Sequence, residues 1–135
     1  MRLVLEAIRA ELATLGRPVH VGRAPRGAVP PFYVIDGTKF TLPRRLTEAT
    51  RRMGAYLDVR STADTEGNAQ VYAEQAQQLL SPLTVTRDIV TPRRAIRVRY
   101  SGQDGTFTDP DYADATSMPP AYTIDRYVCQ YRTTA

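Results

Sequence analysis

Two segments of the chain alternate apolar and polar side chains, a pattern that favours β-strands with one buried face. The first runs from 55 to 60, and the second and longer one runs from 122 to 132. Because successive side chains of a strand point to opposite faces of the sheet, each segment predicts a strand that packs against a core on one side. The residues predicted to face that core are Ala55, Leu57 and Val59 in the first segment and Tyr127, Cys129 and Tyr131 in the second.

Two other segments have the periodicity of amphipathic helices. The first covers residues 1–15 and ends at Gly16, and the second covers 69–80 and ends at Ser81-Pro82. In both, apolar residues recur at intervals of three and four, so each predicts a helix with one buried stripe. The predicted stripes are Val4, Leu5, Ile8, Leu12 and Leu15 in the first helix and Ala69, Tyr72, Ala73, Ala76, Leu79 and Leu80 in the second.

The turn that precedes the second helix has the sequence TADTEGN, residues 62–68. It contains one glycine and no lysine, whereas a phosphate-binding loop of the Walker type needs spaced glycines followed by Lys-Ser/Thr. Asp64 or Thr65 is a suitable N-cap, and Glu66 would lie in the first turn, where the helix dipole favours a carboxylate. This segment therefore predicts a capped structural turn.

The remaining β-prone segments are shorter. A strand is expected at Val19–Val21 and another at 95–100, where Arg97 and Arg99 share one face. Asp36-Gly37 separates two β-prone runs and predicts the turn of a hairpin. The arginine-rich segment 44–54 is ambiguous between a loop and a short helix.

These elements predict one α+β domain, residues 1–135. Its sheet is expected to be mainly antiparallel, with four or five strands packed against the two helices. Long irregular loops are predicted at 16–31, 37–54 and 101–121. Because connecting loops of this length are uncommon unless they have a function, the sequence places function in these loops.

Composition narrows the classes of function. The chain has 135 residues and a formal net charge of +4, but its basic residues never form a run of five, and acids are interspersed. A dedicated nucleic-acid-binding protein usually has a denser basic stripe. One cysteine allows no internal disulfide, and no apolar run approaches a membrane span. The sequence predicts a soluble protein made in the cytoplasm.

Three groups of residues invite a chemical interpretation. Cys129 with His20 has the residue types of a nucleophile and base, but a thiol on an apolar strand face is usually inert. Asp58 and Asp125 would form a carboxylate pair only if neighbouring strands brought them together. The acids at 104, 109, 111 and 114 do not fit the spacing of an EF-hand loop. The sequence therefore predicts no enzyme, no metal site and no cofactor.

Several segments share their layout with a known family. They are the N-terminal helix, the Pro-Pro entry to a strand in PPFYVID, the strand that runs into a helix in YLDVRSTADTEGNAQVYAEQAQQLL, the late strand AIRVRY, the Asp-rich DPDYAD and the closing PPAYTIDRYVCQYR. In this order they resemble the tail terminator, or tail completion, proteins of long-tailed bacteriophages, especially those that infect actinobacteria. The resemblance spans most of the chain.

The resemblance implies a structural virion protein of the phage tail and neck. Such a subunit would assemble as a hexameric ring at the head-proximal end of the tail tube, stop tube polymerisation and join the tail to the head connector. Its partners would be copies of itself, the tube protein and the connector, and genomic DNA would pass through the ring without sequence-specific binding. The residues expected in contact loops are Arg23, Arg26, Arg44, Arg45, Asp104, Asp109, Asp111 and Tyr112.

Two alternatives remain beside this interpretation. A head-completion or stopper protein of the neck would also be small and ring-forming, and would differ in the partner that it binds. A basic nucleic-acid-binding module would use the arginines for phosphate contacts, although the sequence has no helix-turn-helix signature.

Overall fold

The computed structural model describes residues 2–41, 50–90, 95–108 and 120–134, which form an α+β fold. The two predicted helices are present, and the sheet has six strands where four or five were predicted. In chain order the elements are α1 (Arg2–Ala13), β1 (Val19–Val21), β2 (Phe32–Thr41), β3 (Thr50–Ala63), α2 (Glu66–Leu80), a 3₁₀ turn (Pro82–Thr84), β4 (Arg87–Val90), β5 (Ala95–Thr108) and β6 (Ala121–Thr134).

The six strands form one mixed sheet in the order β1-β2-β3-β6-β5-β4. β1 runs parallel to β2, and all other neighbouring strands are antiparallel. β3 and β6 pair along their whole length, from Thr50 opposite Thr134 to Ala63 opposite Ala121. The last described strand of the chain therefore lies in the middle of the sheet.

Both helices pack on the same face of the sheet and enclose the core. Alanines dominate the buried stripe of α2, and their small size lets the helix lie close to β3 and β6. All six strand residues that the alternation predicted to face inward are buried. The helix residues buried in this core are Val4, Ile8 and Leu12 of α1 and Ala69, Ala73, Ala76 and Leu80 of α2.

The predicted hairpin turn at Asp36-Gly37 is wrong, because β2 continues through both residues. Asp36 pairs with Asp58 and Gly37 pairs with Leu57 in the ladder with β3. Earlier in β2, Tyr33 and Ile35 are completely buried, and the register that buries them carries the strand straight on. Burial of these side chains outweighs the local turn preference of Asp-Gly.

Two of the predicted loops are partly strand. Residues 50–54 begin β3 and are neither a loop nor a short helix. β5 extends to Thr108, although 101–121 was predicted to be irregular. Its register shifts between Tyr100 and Gly102 and again between Gln103 and Gly105. Because such bulges interrupt the period of two, alternation did not reveal the second half of β5.

Thr65 is the N-cap of α2. Asp64 and Thr65 were the two residues predicted for this role. Its Oγ1 accepts a hydrogen bond from the backbone N–H of Asn68 at 3.1 Å. Asp64 supports the same turn, since its Oδ1 accepts from Nδ2 of Asn68 at 2.9 Å. The two bonds fix the point at which the chain leaves β3 and enters α2.

We predict that Thr65→Ala lowers the free energy of unfolding by about 1 kcal/mol, because the N–H of Asn68 loses its acceptor. Thr65→Ser keeps the hydroxyl and is the matched control. Urea denaturation followed by circular dichroism measures both variants. Equal losses in the two variants would show that the cap hydrogen bond is not the cause.

Candidate functional site: the helix-free face of the sheet

The sheet face opposite the helices is built from the positions that alternate with the core. At its β2 end, Phe32 and Val34 are buried, and the His20 ring lies edge-on to Phe32 with centroids 5.6 Å apart. Thr62, which pairs with Phe32, and Gly54 are buried too, and the other described positions of this face are exposed or half-buried. We call the following set the helix-free face: Asp36, Thr38, Phe40, Tyr56, Asp58, Arg60, Asp88, Val90, Arg97, Arg99, Phe107, Tyr122, Ile124, Arg126, Val128 and Gln130.

Tyr56 of β3 is the centre of one group of contacts on this face. Its ring centroid lies 4.8 Å from that of Phe40, and the guanidinium carbon of Arg126 lies 5.4 Å from its ring centroid. Arg126 also forms a two-pronged ion pair with Asp58, at 2.9 Å from Nε to Oδ1 and 3.4 Å from Nη2 to Oδ2. A side chain at Gly54 would collide with the Phe40 ring, so glycine lets that ring lie against the sheet.

Arg60 and Tyr122 form a second group on the same face. The guanidinium carbon of Arg60 lies 4.0 Å from the Tyr122 ring centroid. On the other side of Tyr122, the ring of Phe107 lies at a centroid distance of 5.4 Å. An exposed cation–π contact of this kind contributes about 0.5–1 kcal/mol. These contacts hold three large side chains, Arg60, Tyr122 and Phe107, together on the helix-free face.

A groove of about 460 Å³ lies along β5 and β6. Arg97 and Arg99 line it, and Nε of Arg97 is paired with Oδ1 of Asp88 at 3.3 Å. Both partners of that pair are more than half exposed, so it contributes little to stability. The other lining residues are Thr86, Tyr100, Ser101, Val128 and Gln130.

The chemistry of the helix-free face is that of a binding surface. Aromatic rings and arginine forks are the side chains most enriched at the centres of protein interfaces. Acids at Asp36, Asp58 and Asp88 lie among the arginines, so both signs of charge are present. Such a mixture suits contact with another protein surface better than contact with a uniformly anionic polymer.

The residues predicted for contact loops are only partly described. Arg23 and Arg26 are exposed in the connection between β1 and β2. Asp104 is exposed as well, but it belongs to strand β5 and not to a loop. In the described ranges, no ion pair joins Asp104 to either arginine. The other predicted contact residues lie outside the described residues: Arg44, Arg45, Asp109, Asp111 and Tyr112.

The structure separates both residue pairs that invited an interpretation as enzyme sites. Asp58 lies on the helix-free face, whereas Asp125 is on the core side of the neighbouring strand, opposite Val59. Cys129 is on the core side too, and burial raises the pKa of its thiol to about 12. His20 pairs with Val34 and so lies on the other face. Neither pair can act together.

Asp125 is the most unusual ionisable group of the core, being only 1% exposed. Its Oδ1 accepts hydrogen bonds from Nε2 of Gln103 at 3.0 Å and from the Tyr100 hydroxyl at 3.4 Å. Its Oδ2 has no hydrogen-bond partner among the described residues, and neither has the buried hydroxyl of Tyr127. Burial raises the pKa of the Asp125 carboxyl, and the two donors only partly oppose this effect.

The described residues have neither a metal-binding cluster nor a membrane-spanning helix. No group of three His, Cys, Asp or Glu side chains lies close enough there to hold a metal ion. Within the same ranges, neither helix has the length and apolar character needed to cross a bilayer.

The sequence interpretation missed the helix-free face because it assigned function to loops. The signal was present in the outward positions of the predicted strands. These positions carry one aromatic residue and two arginines, Tyr56, Arg60 and Arg126. Only the pairing of β3 with β6 shows that these residues are neighbours.

Comparison with known proteins does not identify this chain. A scan against models of protein families gives no match. A search of curated proteins gives none either. Its function must therefore be argued from its fold and surface.

We predict that the buried Asp125 makes the stability of the protein depend on pH. Its pKa is higher in the folded than in the unfolded state, so its contribution is fully present below the ordinary pKa of aspartate. That contribution is lost as the pH rises through the folded pKa. Asp125→Asn should therefore gain stability relative to wild type over this rise, with a slope of at most about 1.4 kcal/mol per pH unit.

Urea denaturation of both proteins from about pH 4 to about pH 8 measures this difference. Asp36→Asn removes an exposed carboxylate from the same sheet and is the control. A difference between Asp125→Asn and wild type that does not change with pH would contradict the prediction.

Proposed function

We propose that this chain is a structural subunit of a phage tail. It forms a hexameric ring at the head-proximal end of the tail tube, stops tube polymerisation and joins the tail to the head connector. Genomic DNA passes through the ring without sequence-specific binding. The protein is made in the host cytoplasm and functions in the virion.

The layout of the fold supports this proposal. The resemblance to tail terminator proteins rests on an N-terminal helix, a strand that runs directly into a helix, and two late strands. In the structure these segments are α1, the continuous unit of β3 and α2, and the paired strands β5 and β6. The segments that carry the resemblance therefore form the framework of one domain.

The helix-free face is the observation that carries the proposal. It presents Tyr56 and Phe107 at 42% and 41% exposure, together with four arginines and three acids from five strands. Side chains of this kind on an open sheet favour a protein contact. A subunit that must bind copies of itself, a tube and a connector needs several such surfaces, and a ring contact joins two different patches.

A second function is favoured by the same rings and arginines. Exposed aromatic residues on an open sheet face stack on bases in several single-strand-binding folds. Against this, Asp36, Asp58 and Asp88 lie on that face and would repel phosphates. Binding of a fluorescent single-stranded oligonucleotide that weakens steeply with salt would support a nucleic-acid-binding module. No binding at low salt would exclude that module.

The ring itself is tested by solution mass. Light scattering over a series of protein concentrations, with negative-stain images of the most concentrated sample, should give a closed particle of about six subunits with a central hole. A neck stopper would give a similar ring, and binding to isolated tail tubes then separates the two proteins. A mass equal to one chain at every concentration would contradict self-assembly in solution.

We predict that Tyr56→Ala raises the protein concentration needed for assembly by about tenfold or more, because central aromatic residues carry much of the energy of an interface. Leu3→Ala is the control, since Leu3 is 45% exposed on α1, on the other side of the sheet. Light scattering compares both variants with wild type. Equal assembly by Tyr56→Ala would remove Tyr56 from the contact.

A further inference from the structure

The sheet has two open edges that differ in sequence. At one end of the strand order, β4 pairs only with β5 among the described strands. At the other end, β1 covers only Tyr33–Ile35 of β2. The rest of β2, from Asp36 to Thr41, pairs with β3 on one side and with no described strand on the other. Both edges present backbone N–H and C=O groups that a further strand would satisfy.

The β4 edge is shielded by charge at its start, whereas its last residue is apolar. Arg87 is an inward charge on the core side, opposite Val98 and paired with Glu11. Asp88 is paired with Arg97. Edge strands of monomeric proteins are commonly shielded by lysine, proline, inward charges or a covering segment. Here Val90 ends the strand at 77% exposure, and Val85 precedes it at 61% exposure in an extended conformation. Apolar side chains flanking an open edge favour pairing with another strand.

We propose that β4 of one copy adds to the open segment of β2 in the next copy, so that the sheet continues from subunit to subunit. This inference rests on the proposed function, because it adds an edge contact to the helix-free face among the surfaces that build the ring. A β4 to β4 contact would satisfy one edge and leave the β2 segment open. A contact between β4 and β2 satisfies the backbone groups of both edges with one repeated interface. This is the head-to-tail geometry that closes into rings.

The side chains of the two edges are compatible on the helix-free face of such a sheet. On the helix-free face, Asp88 and Val90 of β4 would lie beside Thr38 and Phe40 of β2, so that the exposed valine gains an aromatic neighbour. The open β2 segment is longer than the four residues of β4, so the whole of β4 can pair. Because strand addition gains its affinity from main-chain hydrogen bonds, little further complementarity is required.

A charge placed on the edge tests this contact. Val90→Lys should shift the light-scattering mass from the ring to single chains at concentrations where wild type is assembled. Val71→Lys is the matched control, because Val71 is 46% exposed on α2, on the other side of the sheet from the helix-free face. It should assemble like wild type. A ring that survives Val90→Lys unchanged would overturn the edge contact and leave the ring standing.

Cross-linking identifies the partner strand. Val90→Cys and Thr38→Cys place thiols on the two edges and on the same face of the continued sheet, and the native Cys129 is buried with a raised pKa, so it does not compete. A short bismaleimide should link the double variant into a ladder of covalent oligomers and give no linked pairs with Val90→Cys alone. Pairs from Val90→Cys alone would indicate β4 to β4 contact and overturn the proposal.

The outcomes separate this inference from the proposed function. If the wild-type chain has the mass of a monomer at every concentration and the double variant gives no ladder, both the ring and its edge contact are overturned. If wild type forms rings but the double variant gives no ladder, only the edge contact is overturned. Loss of the ring in Val90→Lys together with a ladder from the double variant supports both.

Discussion

The pairing of β3 with β6 is the constraint on which the rest of the structure depends. It joins the antiparallel pair β2 and β3 to the antiparallel pair β5 and β6 in one sheet. It also places Leu57 beside Tyr127 under the helices. The same register puts Asp58 beside Arg126 on the opposite face, although the two residues are 68 positions apart in the chain. One ladder thus produces both the core and the surface proposed for binding.

The elements that were predictable from sequence are those whose signal is local. A strand with one buried face alternates, as in 55–60 and 122–132, and a helix start carries its own cap, as at Thr65. The Asp36-Gly37 turn failed because burial of Tyr33 and Ile35 in the core decided the register of β2. β5 was cut short by its bulges, and β4 was missed because only Ile89 of its four residues is buried.

The surface proposed for binding was less predictable than the fold for a physical reason. A loop residue announces itself by composition, but a contact on a sheet face depends on which strands are neighbours. Tyr56, Arg60 and Arg126 were visible as outward positions, yet their association with Phe40 and Tyr122 comes from the strand order. The surface proposed for binding lies on strands. Substitutions on that sheet face therefore test the proposal, as well as substitutions in the loops.

The central position of β6 also has a consequence for biosynthesis. Until the ribosome has passed residue 134, β3 and β5 each lack the neighbour that lies between them. The unfinished chain therefore exposes one edge of each of two long strands, because the strand that pairs with both edges has not been made. Because non-local pairing of this kind is slow, newly made chains at high concentration would compete for one another's strands, which favours chaperone protection during synthesis.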